Sequence, residues 1–213
     1  MGFRERRSSQ SYRPYGAEIS AIRGGSIGHT MAGASLGDLA RYLEVPERTL
    51  RRAAAEGLIH GQRLSERRYK TTLREEAYLR SHWALLSALR KALRTEQNVR
   101  LAVLFGSLAK GEASEDSDLD LLVSLRDGSA RTVAGLSGRL GDRVARSVQV
   151  VRLEEAERLP TLMVDALADG RVLVDRDDIW PRLLASEHRW RHWCRTTSVT
   201  GSTRESRRRK LLR

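Results

Sequence analysis

Along the first 34 residues apolar and polar positions follow no fixed period, and Gly, Ser and Arg dominate. This stretch is predicted to be a flexible leader. A helical period begins directly after it. Leu36, Leu39, Ala40 and Leu43 fall on one stripe, Ser35 stands at the capping position, and Asp38 follows at the capping-box spacing. Val45-Pro46 interrupts the stripe. A second helix is expected from Glu47 to Glu56, with Gly57 ending it. Leu58, Ile59 and Gly61, followed by a run of basic residues, predict a short hairpin. A long helix is then expected over Leu73–Thr95, with Ala77, Leu79, Trp83, Leu86, Leu89 and Leu93 suited to packing on both neighbours. A domain boundary is placed near Glu96–Asn98.

Beyond that boundary the pattern alternates between strand and helix. "VRLAVLF" and "DLDLLVSL" read as strands, "SARTVAGLSGRL" as a helix and "SVQVVRL" as a third strand. "EEAERLPTLMVDALADG" reads as one helix stopped by Gly170. "RVLVD" is a fourth strand and "IWPRLLASEHRWRHW" a last helix, with Trp83 and Trp180 expected in the core. The resulting division is a leader (1–34), a helical unit with a hairpin (35–97), an α-β domain (98–195) and a basic tail (196–213). Two short helices joined by a tight break and followed by a hairpin form a winged helix-turn-helix pattern. The fold class expected is therefore α+β: an N-terminal winged helix-turn-helix, then a small mixed-sheet domain.

Composition narrows the function classes. No stretch approaches the apolar length of a membrane span. The basic start has no apolar segment behind it, so a secretory signal is not expected. Cys194 is the single cysteine, which excludes an internal disulfide framework and a multi-cysteine zinc site. A cytoplasmic protein is expected. The net charge of +12 is uneven: residues 98–180 are net acidic, while the segments on either side are basic. An excess of this size favours contact with phosphates. Arg48, Arg51 and Arg52 on the second helix are candidates for the major groove of duplex DNA. Arg63, Arg67, Arg68 and Lys70 on the wing are candidates for its backbone.

The chemistry concentrates in "LAVLFGSLAKGEASEDSDLDLLV". Gly106-Ser107 ends a strand and opens a helix, where glycine admits a phosphate close to backbone and the helix start offers free amides. Asp118 and Asp120 alternate with Leu119 and Leu121, so both carboxylates share one strand face. Two carboxylates beside a phosphate cradle suit Mg²⁺ carried with a nucleotide. His188 and His192, four apart among arginines and tryptophans, read as a surface for a partner or nucleic acid rather than a metal site. Trp190 and Trp193 belong to that docking surface. Cys194 reads as a bystander thiol and Asp175 as structural.

Gly106-Ser107, ten intervening residues and Asp118-Leu119-Asp120 resemble the signature of the polymerase-β nucleotidyltransferase superfamily, and most closely its minimal (MNT) branch. The resemblance covers about residues 98–180. It implies Mg²⁺ and ATP as cofactor and substrate, Asp118 and Asp120 as catalytic metal ligands, and Gly106, Ser107 and Lys110 as nucleotide-binding residues. It also implies an antitoxin that transfers AMP to a tyrosine of a HEPN-type toxin. Family catalysts often carry a third carboxylate on the next strand; Gln149 stands there, and an amide cannot accept the acceptor's proton. Glu154 and Glu155 lie just beyond. "LGDLARYLEVPERTLRRAAAEGLIHGQR" resembles the start of MerR-like or excisionase-like winged helix domains. Two alternatives stay open: a regulator whose nucleotidyltransferase part only binds, and a small-molecule transferase of the aminoglycoside type. Self-association as a homo-oligomer is left open.

Overall fold

The structure is a computed structural model that describes residues 32–65, 68–114 and 117–194. Most of the leader, Arg67 of the wing and the whole basic tail lie outside the described residues. The chain begins with strand β1 (Ala32–Ser35), helices α1 (Leu36–Tyr42) and α2 (Glu47–Ala55), then strands β2 (Gln62–Arg63) and β3 (Tyr69–Thr72). These strands form a three-stranded antiparallel sheet in the order β1-β3-β2. Ser35 caps α1 by accepting the Asp38 amide at 3.2 Å, as the spacing predicts. Residues 32–34, expected in the leader, are instead part of β1. Ala-Gly-Ala has little strand propensity of its own. Tertiary bonds hold it: the Ala34 amide donates to Glu76 at 2.9 Å and Thr71 Oγ1 donates to the Ala34 carbonyl at 2.9 Å.

Helix α3 (Leu73–Thr95) has the predicted bounds and is capped by Thr72. It leads into β4 (Val99–Phe105), α4 (Gly106–Lys110), β5 (Leu119–Leu125), α5 (Ala130–Val144) and β6 (Val148–Arg152). After these come α6 (Leu153–Ala156), α7 (Pro160–Asp169), β7 (Arg171–Asp175) and α8 (Ile179–Ala185). The expected single helix over 154–170 is two helices. Pro160 cannot donate to the preceding turn and clashes with it, so it opens α7 instead of continuing α6. Helical backbone resumes over 187–194 after a break at Ser186.

The second sheet runs β6-β5-β4-β7, antiparallel except for the parallel β5–β6 pair. Both of its faces are covered. Ala102, Leu104, Leu119, Leu121 and Val123 face α3 and α5, in a core that continues without interruption through Leu86 and Leu79 of α3 to Leu50 of α2 and Leu39 of α1. Leu101, Val103, Phe105 and Leu122 face the other way, against Met163 and Leu167 of α7 and Trp180 of α8. Trp83 and Trp180 are buried, as expected. The boundary near Glu96–Asn98 is thus a change of element within one packed body, because α3 belongs to both halves of the first core.

A buried ion pair crosses that boundary. Arg171 at the start of β7 and Glu75 in the first turns of α3 are 4% and 5% exposed. The guanidinium donates to both carboxylate oxygens, at 2.6 and 2.9 Å. The His60 amide adds a third bond to Glu75, at 3.0 Å, and the His60 ring bonds the Gly170 carbonyl at 3.0 Å. Burial first, and then the charge of Arg171, holds His60 below its ordinary pKa, so the ring is neutral in this setting. Removing one partner leaves the other charge buried and uncompensated, so Glu75→Ala is expected to cost about 3–5 kcal/mol. Because one core spans both halves, the loss should lower a single denaturant transition, with circular dichroism and tryptophan fluorescence coinciding. Two separate transitions would contradict a shared core.

Candidate functional site

The two aspartates sit where β5 begins. Leu119 and Leu121 are buried on the α3 face, which leaves Asp118 and Asp120 on the face shared with Leu122. Asp118 is exposed and Asp120 half-buried. Asp120 lies in register with Phe105 of β4 on one side and with Gln149 of β6 on the other. Residues in register across a sheet project to the same face, so Gln149 stands beside the carboxylates at the expected third position. It is exposed, on the edge strand.

Gly106 follows Phe105 with φ of +75°, in the left-handed region. A Cβ there would overlap the Asp120 carboxylate. Glycine is therefore required twice over, by the backbone conformation and by the approach of the aspartate. Ser107 and Lys110 lie on the same five-residue helix as Gly106, both half-buried, with Lys110 one turn after Gly106. Gly111 closes α4 in the left-handed conformation, bonding back to the Leu108 carbonyl at 3.0 Å. The strand–Gly-Ser–helix–Asp-x-Asp order of the sequence thus comes together at one end of the two central strands, where β4 finishes and β5 starts.

Burial first, and then the charge of Asp118, raises the Asp120 pKa above the ordinary carboxylate value. The fold has placed two like charges together. Among the described residues no group of three or more His, Cys, Asp and Glu side chains could hold a metal by itself; Glu115 and Asp116 lie outside those residues. Glu155 does not fill the third place: it is ion-paired to Arg152, whose hydrogen bond lowers its pKa. Glu154 is exposed on α6. The donor set fits a divalent ion that also takes oxygens from a bound phosphate, since hard cations prefer oxygen ligands and two carboxylates leave most positions open. Two concavities, of about 560 and 350 Å3, lie elsewhere, one against α1 and one along β7.

The other sequence candidates separate. Arg48, Arg51, Arg52, Arg68 and Lys70 are exposed and Arg63 is half-buried. Arg51 is paired to Glu47 at 2.8 Å and Arg52 to Glu56 at 2.7 Å. Asp175 is structural, as expected, accepting the Ile179 and Trp180 amides at the start of α8. Trp190 was expected on a docking surface with Trp193; it is 7% exposed and packs in the core against α7 and α8, while Trp193 is 49% exposed. The helical period over 187–194 turns Trp190 inward and Trp193 outward. His188 and His192 are both exposed. Sequence reasoning passed over Arg171 and Glu75, since isolated charges 96 residues apart carry no local signal.

Residues 87–179 match the family model described as "Polymerase beta, Nucleotidyltransferase". That segment, which holds the Gly-Ser turn and both aspartates, is a nucleotidyltransferase domain. No curated protein matches the chain in sequence. Solved structures that align with it include a toxin-antitoxin complex with AMP-PNP, at 20% identity and TM-score 0.47, covering 55% of this chain and 97% of the other. The MntA-HepT toxin-antitoxin complex aligns at 18% identity and TM-score 0.44, covering 57% and 97%. A tri-AMPylated Shewanella oneidensis HEPN toxin in complex with an MNT antitoxin aligns at 17% identity and TM-score 0.44, covering 57% and 98%.

The raised Asp120 pKa makes a pH-dependent prediction. A carboxyl whose folded pKa lies above its unfolded value of about 3.9 favours the fold at low pH and loses that contribution as pH rises through the folded value. At pH 7 the ionised Asp120 therefore works against the unliganded fold. Asp120→Asn should raise the melting temperature at pH 7, with the gain shrinking as pH falls toward 4. Gly106→Ala should lower it at both. Thermal melts of the three proteins at the two pH values check this; an Asp120→Asn protein that melts below the wild type at pH 7 would contradict it.

Proposed function

We propose that this chain binds Mg-ATP at Asp118, Asp120 and the Gly106–Ser107 turn and transfers AMP to a hydroxyl of a partner protein. The observation that carries the reading is the carboxylate pair set against Gly106, within the segment that matches the nucleotidyltransferase family. Asp118 and Asp120 would hold the ion, which supplies charge neutralisation at the phosphates when bound. The Gly106 and Ser107 amides and the Ser107 hydroxyl would bind phosphate oxygens, and Lys110 would offset their charge. The acceptor oxygen forms a bond to the α-phosphorus as the bond to the pyrophosphate oxygen breaks in line, and the hydroxyl proton leaves to solvent or to a base on the partner.

Gln149 favours a protein acceptor. It cannot take a proton, so an aliphatic hydroxyl would go unassisted. A tyrosine hydroxyl, with an ordinary pKa of about 10, needs less help. The reading is then an antitoxin whose acceptor is a HEPN-type toxin. In the N-terminal unit, exposed Arg48 on α2 together with Arg68 and Lys70 on the hairpin would place the protein on duplex DNA, as a winged helix-turn-helix does. Arg51 and Arg52 would first have to leave their glutamate partners.

Two measurements test this. Calorimetry with ATP and Mg²⁺ should show binding by the wild type and none by Asp118→Ala/Asp120→Ala, and incubation with labelled ATP and the protein encoded beside the gene should label that protein on tyrosine. Gln149→Asp should preserve or raise the labelling. Equal affinity in the double variant would remove the aspartates from the site; binding without labelling of any protein would leave a nucleotide-binding regulator. For the DNA arm, Arg48→Ala should weaken binding to the upstream region of the gene and reduce the salt slope by about 1 if the residue contacts a phosphate. A gel-shift series in salt measures it, and no binding by the wild type at low salt would remove the DNA reading.

A further inference from the structure

Helix α4 is five residues long, so its closing carbonyls have no partners within the helix. Two arginines supply them from outside. The Lys110 carbonyl accepts from Arg74 Nη2 at 2.9 Å, on the exposed surface. The Ala109 carbonyl accepts from Arg171 Nε at 2.9 Å, in the interior. Arg171 spends its remaining donors on Glu75 and on the Leu58 carbonyl, the latter at 3.3 Å. Its guanidinium lies 3.5 Å from the centroid of the Tyr78 ring. The same ring lies beside Gly111, which closes the same end of α4.

Leu58 directly follows the turn that ends α2. Gly57 in that turn accepts the amide of Val172, the residue after Arg171, at 3.2 Å. One buried side chain therefore touches the end of α2 and the helix that begins with the Gly-Ser turn. The Gly106 end of α4 has no slack, because even a Cβ would overlap the Asp120 carboxylate. Gly106 and Ala109 are within one turn of each other, so a shift at the Ala109 carbonyl is passed to the glycine.

We propose that Arg171 is a positioning residue of the nucleotide site: it sets the Gly106–Ser107 turn against Asp120 and ties that turn to the end of α2, so that nucleotide binding and the placement of α2 are coupled. This rests on the nucleotide reading given above. Coupling of this kind is reciprocal: a ligand that fixes the turn also fixes α2, and a ligand that fixes α2 favours the nucleotide-binding turn. Lysine cannot replace the arginine, because a single ammonium cannot reach Glu75, Leu58 and Ala109 in the guanidinium's planar fork.

The test uses the full chain and Mg-ATP. Arg171→Lys keeps the charge opposite Glu75 and gives up the Ala109 bond. At a temperature where circular dichroism shows both proteins folded, calorimetry should give an affinity about tenfold below the wild type, the scale on which supporting partners of a binding site act. A purely structural role would lower the melting temperature and leave the affinity of the folded protein unchanged. Hydrogen exchange supplies the second readout: Mg-ATP should slow exchange of the Val172 amide in the wild type and leave it unchanged in Arg171→Lys. If Arg171→Lys does not fold, Glu75→Gln replaces it. That variant removes the charge that anchors the guanidinium, and its affinity should fall at least about threefold, within the usual range for such network changes. Wild-type affinity and wild-type exchange in whichever variant folds overturn the inference and leave the site reading intact. Absence of Mg-ATP binding by the wild type overturns both.

Discussion

The Arg171–Glu75 pair is the constraint on which the arrangement of this protein depends. Taking a guanidinium and a carboxylate out of water costs several kcal/mol for each ion before any attraction is counted. The structure meets that cost with near-complete hydrogen bonding: Arg171 donates to Glu75, Leu58 and Ala109, and Glu75 also accepts from His60. Apolar residues of equal volume could be as stable. They could not hold α3, β7, α4 and the segment after α2 at hydrogen-bond distance from one point. What the pair contributes is geometry, and the geometry is that of four segments which are distant in sequence.

That geometry explains why the chain packs as one body although it reads as two domains. Helix α3 is amphipathic on more than one side: Leu79 and Leu86 join the helices of the N-terminal unit and the sheet in the same core. Arg171 then locks the near end of α3 to β7, and Arg176, just past β7, caps its far end by donating to the Arg94 and Glu96 carbonyls at 3.0 and 2.9 Å. The sheet is consequently clamped along α3 at both ends of β7. Leu50 of α2 and the strands that carry the aspartates thus share one core.

Much of this was legible in the sequence, and the misses have physical causes. β4 and β7 are short apolar runs bounded by polar residues, buried on both faces, and their limits could be read off. The Gly-Ser turn and the alternating aspartates were legible because both rest on local rules: positive φ at glycine and period-two alternation along a strand. β1 was missed because Ala-Gly-Ala is held by Glu76 and Thr71, far along the chain. The break before α7 was legible in principle at Pro160, but a continuous helical stripe outweighed it. Trp190 was misassigned because a tryptophan flanked by arginines reads as surface, while its helix turns it into the core beside Met163. The Arg171–Glu75 pair had no local signature at all.

The candidate site concentrates negative charge at one point of the sheet. Asp120 is penalised by burial and by the charge of Asp118. Gln149 occupies the register position where a further carboxylate would deepen that repulsion, and being neutral it does not. Two carboxylates can satisfy only part of an octahedral ion that prefers to keep water and phosphate oxygens. In the proposed function a divalent ion would offset the charge of the pair, and an acceptor that ionises readily would need no base at Gln149. A third carboxylate would increase the affinity for the ion alone and the repulsion in its absence. With a neutral amide there instead, the proposed transfer would leave proton removal to the acceptor and whatever accompanies it.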